Sequence, residues 1–224
     1  KELNALENHF AEYLPKSILQ AAVQGKLVTQ DKDDEPASEL LKRIQAEKAT
    51  LIKEGKLKKE KPLPPITEDE IPYDLPEGWE WCRLSDIGEI VSGATPDSMN
   101  ADYYTNPTKG IPWITPADMK NSINNYISRG TKDITQAGYN SCSTTLLPPG
   151  SVIFSRRAPI GHIAFAQNEL CTNQGFKSVV PYEFKTASWI FYVLKSKVSD
   201  INSRASGTTF KEVSGKFMSL ESFP

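Results

Sequence analysis

Residues 147–161 have the sequence LPPGSVIFSRRAPIG. The apolar run at the centre of this stretch is bounded on both sides by Pro and Gly, a pattern that predicts a short β-strand followed by a loop. Arg156 and Arg157 follow the run directly. The stretch therefore predicts a strand over 151–155 with two guanidinium groups at the start of the loop behind it.

Similar short β-branched and aromatic runs, separated by Gly, Pro, Asn and Ser, continue from residue 77 onwards. Period and composition predict six strands, over 79–84, 87–92, 111–114, 151–155, 163–167 and 176–181. The apolar positions of 187–199 predict one helix among them. The sequence thus predicts a mixed α/β (α+β) domain over residues 77–224.

The first residues have a different pattern. Leu3, Leu6, Phe10 and Tyr13 alternate spacings of three and four, which places them in one seam along a helix, as in a coiled coil. A helix this short needs tertiary packing to be stable. We expect the seam to pack against another helix, in this subunit or in a second copy.

Proline and glycine divide the rest of the amino-terminal part. Pro15 is placed to start a new helix, which predicts a kinked helix or a helix pair ending near Gly25. A third helix is predicted from Pro36 to Gly55. We expect a helical arm over 1–61, a proline-rich acidic linker over 62–76, and the α/β domain behind it.

Composition bounds the class of protein. The chain has 224 residues, 38% of them hydrophobic and 24% charged, and no apolar run approaches the roughly 18 residues that a membrane span needs. The start has neither Met nor the pattern of a secretory signal, so we expect a cytoplasmic protein whose sequence begins inside a longer chain. Its three cysteines are far apart, which argues against a disulfide framework or a metal site.

The net charge of −2 is unusual for a protein that binds nucleic acid, but the charge is unevenly distributed. Residues 42–65 carry eight basic and three acidic groups, and 90–224 carry thirteen and nine. The acidic groups concentrate in 1–41 and 66–89. A modest positive field is therefore available for phosphates.

Motifs of catalysis are missing from the sequence. It has no glycine-rich phosphate loop, no HExxH, no glycine-flanked nucleophile and no carboxylate spacing for two metals. Asn106-Pro107-Thr108 comes nearest to the Asn-Pro-Pro-aromatic motif of amino-methyltransferases, and a turn explains it. The sequence predicts a binding module that is not an enzyme.

Several segments in order resemble the target recognition domain of the specificity subunit of type I restriction-modification enzymes. They are LPEGWEW at 75–81, GATP at 93–96, GIPWI at 110–114, LPPGSVIFSRRAPIG at 147–161, CTNQGFK at 171–177 and GTTF at 207–210. Residues 14–28 and 34–44 also resemble the helical connector region of that subunit. The resemblance covers nearly the whole chain.

This resemblance implies a non-catalytic subunit that reads one half of a bipartite sequence in double-stranded DNA. It also implies partners: modification subunits that use S-adenosylmethionine, and a restriction subunit that uses ATP and Mg. No cofactor is implied for this chain itself. One recognition domain is present where the family has two, which fits a fragment or a half-subunit, joined to a second recognition domain or to a second copy.

Polar and basic residues on loops are the candidates for DNA contact, because guanidinium, ammonium and hydroxyl groups bind phosphates and base edges. They are Arg156, Arg157, Lys177, Arg204, Thr208, Thr209, Lys211 and Lys216, with Lys109, Lys120, Arg129 and Lys132 as outlying candidates. We interpret the family's tryptophans and glycines mainly as core and turn residues. The alternative is a protein-interaction or assembly module without DNA binding, which the acidic pI would suit.

Overall fold

The computed structural model describes residues 2–59, 61–157, 159–205 and 212–224. Within residues 2–12 it describes the backbone and, of the side chains, only that of Phe10. In the described part, no helix is long and apolar enough to span a membrane. The same residues contain no cluster of His, Cys, Asp and Glu able to hold a metal ion.

The amino-terminal arm consists of two helices, α1 (Glu2–Val23) and α2 (Ala37–Lys53). Of the two alternatives predicted at Pro15, the helix pair is wrong, since α1 runs through this residue, and the kinked helix stays a prediction. A proline removes one backbone hydrogen bond, and here packing of the carboxyl-terminal half of α1 on the domain outweighs that loss. Gly25 and Gly55, with φ of +67° and +72°, adopt the left-handed conformation just beyond the two helices.

The predicted seam on α1 is only partly described. The side chains of Leu3 and Leu6 lie outside the described residues. Phe10 and Tyr13 are 66% and 50% exposed. Their packing against another helix therefore stays a prediction.

Behind the arm, the described residues form eleven short strands and four α-helices, as the mixed α/β prediction requires. The strands are β1 (Cys82–Arg83), β2 (Gly88–Ser92), β3 (Tyr104–Thr105), β4 (Ile111–Ile114), β5 (Tyr126–Ile127), β6 (Lys132–Ile134), β7 (Val152–Phe154), β8 (Ile163–Ala166), β9 (Cys171–Thr172), β10 (Lys177–Pro181) and β11 (Ser222–Phe223). The helices are α3 (Leu84–Ile87), α4 (Gln136–Asn140), α5 (Ala187–Arg204) and α6 (Gly215–Ser219).

The central element is a five-stranded sheet of order β2-β10-β7-β8-β5, antiparallel except for the β5–β8 pair. Its middle strand β7 is buried on both faces. Val152 and Phe154 belong to the core cluster that includes α5, and Ile153 belongs to a second cluster. This alternation explains why the strand has an unbroken apolar run.

A four-stranded sheet of order β3-β6-β4-β9 joins the first sheet. Ile114 at the end of β4 belongs to the second buried cluster, which contains Ile153 and lies on the face of the central sheet opposite α5. The amide of Asn173 donates to the carbonyl of Ile114 (2.9 Å), and that of Ala94 donates to Thr172 (3.0 Å). These bonds place the ends of β4 and β9 beside the loop after β2.

The arm and the α/β domain share a core. Val23 of α1 and Ile44 of α2 are buried in the cluster that contains Phe191 and Leu194 of α5. The Trp79 indole N–H donates to Gln30 Oε1 (2.9 Å), across the junction. The carboxyl-terminal half of the arm is therefore packed on the domain.

Candidate nucleic-acid interface

One end of the central sheet collects the segments that carry four of the five main candidates that the structure describes. In the sheet register, Ser92 at the end of β2 lies opposite Lys177 at the start of β10. Ser155, directly after β7, bridges to Phe176, directly before β10. The loop after β7 and the segment before β10 therefore lie side by side.

Ser155 fixes the loop that holds the arginine pair. Its hydroxyl donates to the carbonyl of Pro159 (2.7 Å) and accepts from the amide of His162 (2.8 Å). The amide of Gly161, a glycine with φ of +96°, donates to the carbonyl of Ser155 (3.0 Å). These three bonds close a tight turn between β7 and β8.

The backbone of Arg156 is anchored on both sides. Its amide donates to Gly175 (2.8 Å), and its carbonyl accepts from Val213 (3.1 Å). The segment around Val213 is thereby held against the β7–β8 loop, although it is more than fifty residues away in sequence.

Glu212, next to Val213, pairs with both arginines. One carboxylate oxygen accepts from Arg156 Nη2 and the other accepts from Arg157 Nη1, at 2.7 Å. The hydrogen bond from Arg157, with the positive charges of both arginines, lowers the pKa of Glu212. Arg156 Nε is buried without an acceptor among the described residues, and a buried unsatisfied donor costs about 1–3 kcal/mol.

Lys177 lies beside the arginine pair and hydrogen-bonds to the Ser92 hydroxyl. Partial burial, and then the positive charge of Arg156, lower the pKa of this lysine. A Cβ atom placed on Gly215 would lie 3.7 Å from Lys177 Nζ, so α6 begins next to it. Lys216, the second residue of α6, is exposed.

We call Arg156, Arg157, Lys177 and Lys216 the basic edge. It brings together residues from three separate parts of the sequence, at one end of the central sheet. The guanidinium groups of the two arginines and the ammonium groups of the two lysines can bind phosphate oxygens and guanine edges. The interaction of Glu212 with this edge leaves no trace in the sequence, because a lone carboxylate 55 residues from Arg157 carries no pattern.

Other candidates lie elsewhere. Arg204, at the end of α5, pairs with Asp200 (2.6 Å) and with the buried Glu221 (2.8 Å), and its guanidinium covers the ring of Phe217 at 4.8 Å. These contacts raise its pKa, the Glu221 hydrogen bond most of all. Thr208, Thr209 and Lys211 lie outside the described residues.

The outlying candidates are spread over the four-stranded sheet and its loops. Arg129 pairs with the fully buried Asp133. Lys132 lies over the ring of Tyr104, 5.8 Å from its centroid. Lys109 and Lys120 are exposed. None of the four is assigned to the basic edge.

The fold and this edge define a class of protein: a mixed α/β domain with a helical arm, whose loops present basic groups at one end of a sheet. The family model "Type I restriction modification DNA specificity domain" matches residues 76–224. The chain belongs to this family.

Curated relatives agree with this assignment. The chain is 35% identical over 152 residues to the type I restriction enzyme MjaIX specificity subunit of Methanocaldococcus jannaschii, covering 67% of this chain and 34% of that protein. It is 50% identical over 113 residues to the EcoAI specificity subunit of Escherichia coli, covering 50% and 18%. The chain thus spans about a third or less of the length of these relatives. The prediction of a non-catalytic module agrees with them, since both are specificity subunits.

A solved structure supports the fold. The HsdS subunit from Thermoanaerobacter tengcongensis superimposes with a TM-score of 0.51 at 21% identity, over 84% of this chain and 40% of that one. The mixed α/β prediction is confirmed.

Proposed function

We propose that this chain reads one half of a bipartite DNA target through its basic edge. The observation that carries the proposal is the convergence of Arg156, Arg157 and Lys177 at one end of the central sheet. All three are held at this end of the sheet by backbone or side-chain hydrogen bonds, so their side chains are already close together before DNA arrives. Preorganised donors on a rigid scaffold suit recognition better than mobile ones.

Family membership supports the same proposal, because the matching family is named for DNA specificity. In this proposal Arg204 is left out of the interface, since its guanidinium is occupied by two carboxylates and a ring. It stabilises the junction between α5 and α6 instead. Lys216 contributes a contact to the DNA backbone.

Salt-dependent binding of duplex DNA tests the proposal. The chain alone should bind in the non-specific range, with a dissociation constant of about 10⁻⁴ to 10⁻⁶ M. With about six phosphate contacts, the logarithm of affinity falls with that of salt at a slope near −5. Arg156→Ala and Arg157→Ala should each weaken binding and make this slope less negative by about 0.9.

Lys185→Ala provides a matched control. This exposed lysine follows the other end of β10, so the substitution removes one positive charge far from the basic edge. Its affinity should stay near that of the parent chain. Unchanged affinity in both arginine variants, with folding intact by circular dichroism, contradicts the proposed interface.

The arm supports a second part of the proposal, assembly with partners. Four apolar side chains of α1 are exposed along it, namely Phe10, Tyr13, Leu14 and Ile18. We infer that they pack against a helix of a second recognition domain or of a second copy, within a complex that includes modification subunits and a restriction subunit. S-adenosylmethionine, ATP and Mg would then serve the partners, in the cytoplasm.

Mobility shifts with and without a modification subunit separate this proposal from an assembly module without DNA binding. Tighter, sequence-dependent DNA binding by the complex supports recognition. Complex formation that leaves DNA binding by the modification subunit unchanged favours the assembly module.

A further inference from the structure

Building on the proposed function, we propose that Glu212 is a specificity-determining residue that competes with DNA for the two arginines of the basic edge. In the free chain its carboxylate occupies both guanidinium groups. DNA must displace it. The competition suppresses contacts to arbitrary DNA more than contacts to the target.

The geometry of the pair is that of a releasable contact. Each oxygen of Glu212 accepts from a different arginine, so both forks are engaged by one side chain. Glu212 and Arg157 are each 36% exposed, and Arg156 is 18% exposed. Solvent, and therefore an incoming phosphate, can reach this pair.

Among the other arginine–carboxylate pairs of the described residues, Arg43–Glu35 and Arg204–Asp200 are also exposed, whereas two pairs hold a buried carboxylate. Asp133, the partner of Arg129, is fully buried, and Glu221, the partner of Arg204, is 4% exposed. Releasing either carboxylate would leave a charge inside the protein, which is strongly unfavourable. Glu212 can move into water instead.

The exchange has different outcomes on different DNA. A phosphate that replaces the carboxylate makes a similar charge-assisted bond, so the exchange on arbitrary DNA gains little. A guanine edge presents N7 and O6 together and can accept both bonds of an arginine fork. An arginine already held by a carboxylate is thus released most readily where the base edge and the phosphates both accept from it.

Arg156 adds an argument from its own donors. Its buried Nε has no acceptor among the described residues while the side chain pairs with Glu212. A rotation of the guanidinium towards DNA would bring this donor to an acceptor or to water. The contact with Glu212 therefore leaves part of the bonding capacity of Arg156 unused.

Glu212→Gln in the full 224-residue chain tests the inference, because glutamine keeps the shape and one acceptor but removes the charge. The probe is a labelled 30-base-pair duplex of random sequence. The variant should bind it about three- to ten-fold more tightly at low salt, and its salt slope should be more negative by about 0.9, as for one more phosphate contact.

Glu169→Gln is the matched control. Glu169 is exposed beyond the end of β8 that lies far from the basic edge, so the substitution removes one negative charge away from that edge. Equal gains in both variants would mean a general charge effect and would overturn the competition. Unchanged or weaker binding by Glu212→Gln alone would also overturn it, and would make Glu212 a positioning residue for the arginines.

The failure of this inference is distinguishable from failure of the proposed function. If the parent chain binds through its arginines and Glu212→Gln gains nothing, DNA binding stands and only the competition is wrong. If the parent does not bind and Glu212→Gln does, the competition is supported. If neither chain binds the duplex at any salt concentration, both proposals fall.

Discussion

At the residue scale, Arg83 connects three parts of the chain. Its side chain is almost completely buried and donates to both oxygens of Glu70, at 2.6 and 2.9 Å. It also donates to the carbonyls of Leu220 (2.6 Å) and Pro65 (3.1 Å). The proline-rich linker and the end of α6 are thereby fastened to the start of the domain.

Replacing Arg83 by Met should lower the free energy of unfolding by about 1–3 kcal/mol, because the carbonyls of Leu220 and Pro65 lose a buried hydrogen-bond donor. Arg43→Met is a suitable control, since Arg43 makes a similar fork to Glu35 at the surface. Such an exposed pair contributes little to stability, so Arg43→Met should cost much less than Arg83→Met. Urea denaturation measures both, and equal losses would contradict the structural role of Arg83.

The same pair predicts a pH dependence. Hydrogen bonds from Arg83, and then from the Thr67 amide, lower the pKa of Glu70 from 4.5 to about 2. A carboxyl group with a lowered pKa stabilises the fold above its unfolded pKa, and this contribution is lost as the pH falls through the folded pKa. It should therefore be present above pH 4.5 and disappear between pH 4.5 and 2.

Glu70→Gln should flatten that part of the curve. The Tm of the parent should fall more steeply than that of the variant between pH 4.5 and 2, with other carboxyl groups contributing equally to both. Calorimetry at a series of pH values measures the difference. Parallel curves over this range would show that the Glu70 charge does not stabilise the fold.

At the scale of elements, the sequence predicted the strands and helices whose hydrophobic pattern is visible within a single run of residues. Five of the six expected strands occur, with shorter ends at most of them, and the predicted helix at 187–199 continues to Arg204. The strand predicted over 79–84 is largely wrong, since only Cys82–Arg83 pair as a strand and Leu84 begins α3. The strands missed, β3, β5, β6, β9 and β11, have two or three residues each. Runs this short have no measurable period, and pairing with distant strands determines them.

The candidate site divides in the same way. Arg156 and Arg157 could be located because they follow an apolar run directly. Their carboxylate partner could not be located, because the contact depends on how residue 212 returns to the sheet. The prediction that the family's tryptophans belong mainly to the core agrees with the burial of Trp113, which lies in a strand whose apolar run was visible in the sequence, whereas Trp79 and Trp81 are only partly buried.

The junction between the two sheets supplies an element-scale prediction. A Cβ atom on Gly93 would lie 2.2 Å from the carbonyl oxygens of Thr172 and Asn173. Backbone atoms cannot move aside cheaply, so Gly93→Ala should destabilise the fold by about 2 kcal/mol or more.

Gly215→Ala serves as its control, because a Cβ atom there has only ordinary contacts, the nearest at 3.7 Å. Gly215 is the first residue of α6, where alanine has the better helix propensity. The stability of this variant should stay within about 0.5 kcal/mol of the parent or rise. Similar losses in both variants, measured by urea denaturation, would contradict the close approach at Gly93.

At the scale of the whole molecule, the arm and the α/β domain are joined through a common core. The sequence predicted a boundary at the proline-rich linker, whose described residues form one 3-10 helix at Glu68–Glu70 and no α-helix. Periodicity cannot show, however, which apolar side chains on α1 and α2 turn towards the domain. The structure places Val23 and Ile44 among the buried residues around α5, and leaves Phe10 and Ile18 at the surface.

Because the core is shared, we expect a destabilising substitution in the arm to destabilise the central sheet as well. Ile44, 1% exposed, leaves a cavity on substitution, so Ile44→Ala should destabilise the protein by about 2–4 kcal/mol. If arm and domain unfold together, amide hydrogen exchange in β7 should accelerate accordingly. Ile18→Ala, at a position 46% exposed, should leave exchange in β7 unchanged. Faster exchange confined to α2 in the Ile44 variant would show instead that the arm opens on its own, with the basic edge still presented by an intact sheet.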